Sequence, residues 1–498
     1  MPQDTPRPAT NLSPRLVDDY RQSFERGRAL GPTTYTQMSS REDFTIRAMP
    51  APSKRLLPSL PGGLARDHPV SLPLSIVAWV GLDWADQKHD VCLQASDSAQ
   101  VERTVLEHKP EALHAWVADL RRRFPHGPIA IALEQSRGSL FYALMNYPFL
   151  LLYPIPPKAL ADYRKALYPS GGKDDPVDAQ LLLEFLRKHP ERFRPWVADD
   201  AQTRHIALLN EHRRRLVDDR TALTNHLTSL LKGYFPEALR WTEDLRTPLA
   251  WDFLAQFPSL ERAQQASRLA IRKVYRAHTR RTPEQLEARW EEIQSARPLT
   301  TDRAIIESSV LRVGILVEQL RTVGAGIERV ERQLGDLFAT HPDHALFQSF
   351  PGAGKALAPR LLAAWGSDRQ RFASAANMQC FAGPAPVTVR SGKSKWVHRR
   401  FARPTFLGQT FHEFAAQSRL KSPWAKAYYQ QMRHQGVGHH PAVRALAFKW
   451  IRIMFRCWQD RTLYDEARYQ QALARRGSPL AKALSPFANP PARAGEKT

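Results

Sequence analysis

Cysteine is scarce: the 498-residue chain has three, Cys92, Cys380 and Cys457. They stand far apart, which excludes a disulfide framework or a paired-cysteine metal site and fits buried thiols in a reducing cytoplasm. No run of 18 apolar residues occurs, which argues against a membrane-spanning helix. The opening MPQDTPRPATNLSP lacks the apolar stretch of a secretory signal. Acids are the scarce charge. Against 72 Lys and Arg stand 49 Asp and Glu, a formal net charge of +23. That balance favours a polyanionic partner, nucleic acid before an anionic membrane surface. Between Arg369 and Gln459 the imbalance is extreme, with sixteen basic residues and one acid, Glu413. A nucleotide-binding P-loop is missing too. In FPGAGKALAPRLL the required Gly and hydroxyl positions hold Ser349 and Ala356.

What is present changes in texture along the chain. Residues 1–74 contain eleven prolines and no sustained period, and read as a disordered leader. SIVAWVGLD is then a continuous apolar run, the pattern of a strand buried on both faces. HDVCLQAS and VERTVLEH read as two further strands, PEALHAWVADLRRRF as a helix, IAIALE as a strand, SLFYALMNY as a helix and LLLYPI as a strand. KALADYRKALY and DPVDAQLLLEFLRKH follow as helices. Antiparallel strands and then alternating helix and strand predict an α/β domain of the ribonuclease-H type over 75–198. Residues 199–343 hold two long amphipathic segments around a polar, Pro-marked middle. They predict an antiparallel coiled-coil arm, although a helical bundle within one subunit gives the same pattern. Residues 344–460 read as a mostly helical C-terminal domain with a helix-hairpin-helix-like segment at FPGAGKALAPRLL. Residues 461–498 read as a flexible tail. The fold class is therefore α/β plus α.

Four acids carry the chemistry. Asp83 ends the first apolar run and Glu134 ends IAIALE, while Asp175 and Asp178 lie three apart at a helix start. Charges at the ends of buried strands are costly unless compensated. Hard oxygen ligands suit Mg²⁺ or Mn²⁺, and two such ions serve phosphoryl chemistry. Singly, each acid also reads as a loop or helix cap, and Asp86, Asp90 and Asp174 are nearby competitors; the joint order is what favours a metal site. Ser391, in VTVRSGKSK, is flanked by cations that would stabilise an alkoxide and a phosphodiester transition state. From the residues alone a Ser-Gly turn is the simpler reading, and Ser394 competes. Tyr428 and Tyr429 read as helix core or base-stacking groups, and His434, His439 and His440 as loop or phosphate contacts. Arg390, Lys393, Lys395, Arg399, Arg400 and Arg403, interleaved with Trp396 and Phe401, are candidate nucleic-acid contacts.

The order VGLDWADQKHDV, ALEQSRG, KDDPVDAQLL, FPGAGKALAPRLLAAWG and CFAGPAPVTVRSGKS resembles the DEDD transposases of the insertion-sequence one-ten family over roughly 75–460. The resemblance implies a RuvC-like domain joined through a coiled coil to a C-terminal transposase domain. It implies that Asp83, Glu134, Asp175 and Asp178 are the DEDD acids holding Mg²⁺ or Mn²⁺, and that Ser391 is the nucleophile. It implies a structured noncoding guide RNA, donor and target DNA, a Holliday-junction-like stage, and carboxylates and serine that meet across the subunits of a dimer or tetramer. A bacterial, nucleoid-associated, cytoplasmic protein is expected. Two features depart from the family pattern. The chain has about 74 residues before its first strand, and WVHRRFARPTFLGQTFHEF stands where relatives carry a Gly-rich segment and Leu-Arg. Two other readings compete: a RuvC-like Holliday-junction endonuclease using water, and a nucleic-acid-binding protein with structural carboxylates.

Overall fold

The computed structural model describes residues 76–134, 138–167, 175–392 and 394–484. The expected leader and the last part of the expected tail lie outside the described residues, as do Lys393 and the side chain of Asp175.

The N-terminal apolar runs form one sheet. β1 (Ala78–Asp83), β2 (Lys88–Ala95) and β3 (Glu102–Glu107) pair antiparallel in sequence. α1 (Pro110–Arg123) then crosses to β4 (Ile129–Leu133), parallel to β1 on its other side. α2 (Ser139–Leu144) leads on to β5 (Leu150–Pro154), parallel to β4. Parallel neighbours need crossovers, and here both are helical. The order β3-β2-β1-β4-β5 makes β1 central. One face, with Val80, Leu82, Ile131 and Leu133, packs on α1 and α2. After α3 (Pro157–Leu167), α4 (Asp175–Lys188) covers the other face, setting Leu181, Leu182 and Leu186 against Ala130 and Ala132. The expected α/β domain with a mostly helical remainder is the fold observed.

Next come α5 (Ala201–Tyr234), α6 (Glu237–Thr242), α7 (Pro248–Gln256), α8 (Leu260–Gln265), α9 (Arg268–His278), α10 (Pro283–Ser295) and α11 (Arg303–Ala339). The two long helices run antiparallel within one chain. Gln202 Nε2 donates to the Leu337 carbonyl at 2.9 Å, and Arg213 Nε donates to Glu331 at 2.7 Å. The middle, expected to be polar, proves otherwise: α6–α10 close a core in which Trp241, Phe253 and Tyr275 are fully buried. Polar residues there sit mostly on outer faces and at helix starts. The Thr282–Gln285 capping box at α10 is one such start.

The C-terminal part comprises α12 (His344–Gln348), α13 (Gly354–Trp365), α14 (Ala375–Ala382), β6 (Val387–Ser391), β7 (Ser394–His398), α15 (Thr405–Ser418), α16 (Pro423–His434) and α17 (His439–Asp460), then α18 (Glu466–Arg475) and α19 (Pro479–Leu484). Trp365, Trp424, Trp450 and Trp458 fill its core, which also takes Ile206 and Leu209 from α5 and Leu334 and Phe338 from α11. The long helix pair is thus rooted in this core. The glycine turn before α13 is present. Gly352 has φ +85°, and a Cβ there would meet the Gln417 backbone at 3.0 Å, so this glycine serves a close approach to α15. The expected flexible tail needs correcting over 466–484, where α18 and α19 place Leu473, Leu480 and Leu484 in the core. Tyr464 anchors them: it accepts from Trp424 Nε1 at 2.8 Å and donates to Glu466 at 2.8 Å.

Candidate active site

Strand register brings two of the four acids side by side. The parallel pairing of β1 and β4 ends at Leu82 opposite Leu133, so Asp83 and Glu134 are the next residue on each strand. Neighbouring strands lie about 4.8 Å apart. Side chains alternate faces along a strand. Leu82 and Leu133 point to α1 and α2, so Asp83 and Glu134 fall on the α4 side.

Helix direction brings the other pair. Arg187, near the end of α4, donates to Gln94 at 2.7 Å, and Gln94 pairs with Trp79 at the start of β1. Ala179 and Leu183 lie over Gly81 in mid-strand. α4 therefore runs antiparallel to β1, and its first turn, with Asp175 and Asp178, reaches the strand end where Asp83 and Glu134 stand. A helix N-terminus there adds a positive dipole end to a cluster of negative charge.

Asp178 is the most enclosed of the described acids, with its side chain 4% exposed. Arg164 on α3 meets its Oδ1 at 2.5 Å, yet that oxygen has no hydrogen bond of proper geometry among the described residues. A buried charge pair is expensive to assemble, and breaking one costs about 3–5 kcal/mol. Arg164 thus supplies the opposite charge at Asp178 in this structure, and the carboxylate's hard oxygens are of the type that suits Mg²⁺ or Mn²⁺. Arg164 escaped the sequence reading; a lone arginine in the last turn of a helix carries no spacing signal. Among the described residues no group of three or more His, Cys, Asp and Glu forms a preassembled metal cage, and the Asp175 side chain is not among them.

Ser391 is carried elsewhere. It ends β6, opposite Ser394 on β7, at an exposed turn where Gly392 has φ +54°. The structure thus carries Asp83 and Glu134 at strand ends, Asp178 on α4 and the serine on a separate hairpin. Arg390 and Lys395 face each other across that hairpin, and Trp396 is 64% exposed beside them. Arg399 lies over Phe401, itself 75% exposed. Arg400 is turned inward, donating to the Ala385 carbonyl at 3.3 Å. Arg403 is packed rather than presented: its guanidinium and stem fill the space beside Gly383 and Gly408, where a Cβ would collide with it. The single acid of this region, Glu413, pairs with buried Arg360, so it does not dilute the basic surface.

Comparisons with known proteins separate along the same lines. A family model described as a transposase of the DEDD IS110 type matches residues 80–236, the stretch that holds the four acids. A second, described as the transposase IS116/IS110/IS902 family, matches 344–430, the stretch that holds the hairpin. The IS117 mini-circle protein of Streptomyces coelicolor, named as a transposase, is 30% identical over 407 residues, covering 79% of this chain and 97% of that protein. The chain belongs to the IS110 family of transposases. The 42 kDa protein of insertion element IS900 of Mycobacterium paratuberculosis is 23% identical, over 78% of this transposase and 97% of its own length. The 44.8 kDa protein of insertion element IS116 of Streptomyces clavuligerus is 24% identical, over 78% and 96%. The transposase is accordingly a DNA-modifying enzyme of a mobile element. Among its described residues no helix is long and apolar enough to cross a membrane.

Proposed function

We propose that this transposase breaks and rejoins DNA with two half-sites: a carboxylate cluster of Asp83, Glu134, Asp175 and Asp178, and a serine nucleophile, Ser391. What supports the reading is strand register and helix direction: Asp83 and Glu134 end neighbouring strands, and the first turn of α4, with Asp178, runs toward that end of the sheet. Mg²⁺ or Mn²⁺ held by these oxygens would neutralise charge on the phosphate and lower the pKa of an attacking hydroxyl. The chain's own groups do the rest. The Ser391 Oγ attacks phosphorus, its proton passes to a carboxylate or water, the bridging P–O bond breaks, and the departing DNA oxygen takes up a proton. The product is a serine–DNA phosphodiester, which conserves the bond energy for rejoining. Arg390, Lys393, Lys395 and Arg399 neutralise phosphates, and Trp396 and Phe401 stack on bases.

The partners proposed are donor and target DNA and a structured noncoding RNA encoded with the element, within a dimer or tetramer of the chain. The sixteen basic residues against one acid between Arg369 and Gln459 support a nucleic-acid partner. Ser391→Ala and Asp83→Asn are each expected to lower strand cleavage by at least about a thousandfold while nucleic-acid binding persists. Only the wild type should leave protein–DNA adducts on a denaturing gel. A fully active Ser391→Ala protein would replace this reading with a water-using junction endonuclease, and recovery of the protein without bound RNA from its native host would remove the guide.

A further inference from the structure

The loop that follows Asp83 and the start of α2 are tied together from behind the sheet. His89 on β2 is completely buried. It shares a face of β2 with Val91 and Leu93, which pack on the α1–α2 side, so it lies on the face opposite the acids. The Ala85 amide, in the loop after Asp83, donates to His89 Nδ1 at 3.3 Å. That bond leaves the ring proton on Nε2, which reaches His108 Nδ1 at 3.0 Å. His108 Nδ1 must then accept, so its own proton is on Nε2, which meets Ser139 Oγ at 3.2 Å. Ser139 opens α2, directly after the loop that begins at Glu134. The His108 backbone amide adds a bond to the Gln87 carbonyl at 2.8 Å, again in the loop after Asp83. With the Ala85 amide as the first donor, the consistent assignment of donors runs from Ala85 through two imidazoles to Ser139.

Burial and the neighbouring His108 push the His89 pKa down to about 4, so the ring stays neutral and this tautomer persists. Two histidines edge to face, 5.0 Å between centroids, with no acid bonded to either among the described residues, are a poor choice for stability alone. An apolar pair would fill the space without leaving buried polar atoms to satisfy.

We propose that the His89–His108–Ser139 relay is a positioning device that ties the loop after Asp83 to the start of α2, so that it holds Asp83 in place and sets the affinity of the carboxylate site for its divalent cation. The proposal rests on the carboxylate-site reading above. It makes His89, His108 and Ser139 positioning residues, since none of them need touch metal or DNA. Outer-shell partners of this kind commonly tune metal affinity by 10–100-fold.

The test uses the full chain and Tb³⁺ as a hard-cation probe, with luminescence sensitised through Trp84, which adjoins Asp83. The metal dependence of cleavage is measured with Mn²⁺ alongside. His108→Gln and Ser139→Ala alter a half-buried and an exposed residue, which limits folding damage. Each is expected to raise the Tb³⁺ half-saturation and the Mn²⁺ concentration for half-maximal rate by about tenfold, with the rate at saturating Mn²⁺ near wild type. Ser139→Thr, which keeps the hydroxyl, should restore both values. Wild-type half-saturation in both His108→Gln and Ser139→Ala overturns the relay, as does a lower saturating rate with unchanged metal affinity. Asp83→Asn serves as the separate control: if it leaves Tb³⁺ binding intact, the carboxylate-site reading itself fails, whatever the relay variants do.

Discussion

Gly81 sits in the central strand two residues before Asp83, and α4 occupies the place where its side chain would be. A Cβ there would meet the Ala179 carbonyl oxygen at 1.9 Å and the Leu183 nitrogen at 2.5 Å. Both are backbone atoms, so no rotamer change relieves the clash. Overpacking a core costs about 1–3 kcal/mol, and Gly81→Ala is expected at the upper end by urea unfolding. The same change should weaken metal-dependent cleavage, because the helix that must move carries Asp178. Gly335→Ala, in an open stretch of α11 with nothing within 4 Å, should instead stabilise by about 0.5–1 kcal/mol. Equal effects at the two glycines would refute the close helix–strand contact. At this scale the acids were legible because an apolar run that stops at a carboxylate is itself a signal. Gly81 lay unremarked inside such a run, since a single glycine does not say what approaches it. The histidine relay was invisible because its bonds span 19 and 31 positions, and no spacing rule links them.

Helices α15 and α17 meet across a cluster of basic groups. His412 is buried on α15, with His440 Nδ1 at 3.4 Å from its Nε2, and Arg444, His439 and Arg399 add positive charge nearby. Burial first, and these neighbours second, hold its pKa down to about 3 from an ordinary 6.5. Above 6.5 the folded and unfolded chains both keep this imidazole neutral. Between 6.5 and 3 the unfolded chain takes up a proton that the folded chain refuses. The unfolded state then binds more protons, so stability falls as the pH drops through that window. His412→Gln should flatten this slope in unfolding experiments across the window and leave stability near neutral pH less affected. An unchanged slope would place the acid sensitivity elsewhere. Elements differed in how readable they were. β1, β4 and the two long helices announce themselves by period. α18 and α19 do not, because three leucines and one tyrosine spread among Ala, Arg and Gln make a weak stripe. The middle segment misled for a related reason: its helices are short, so charged outer faces dominate any local window while Trp241, Phe253 and Tyr275 close a core from three separate helices.

On the proposed reading the two half-sites stand on different frameworks, the acids on the sheet and on α4, and Ser391 on the β6–β7 hairpin. On the same reading they meet in an assembly of several chains, and mixing tests this directly. Asp83→Asn lacks working acids but keeps Ser391, and Ser391→Ala has the reverse defect. Each alone should be inert. If every site draws its acids from one subunit and its serine from another, random pairing makes half the dimers mixed. Each mixed dimer then has one composite site with both parts intact and one with neither, so about one site in four is active. If a site is built within one chain, no pairing restores it and the mixture stays as inert as its components. First-strand cleavage is the suitable readout, because it needs one site, whereas complete exchange needs several at once. Recovery to roughly a quarter of the wild-type cleavage rate at equal total protein supports assembly across subunits. The adduct should then form only on the chain that keeps Ser391, a distinction that a size tag on one variant makes visible. No recovery, in a mixture shown by that tag to contain mixed oligomers, would mean that the hairpin folds back to serve the sheet of its own chain.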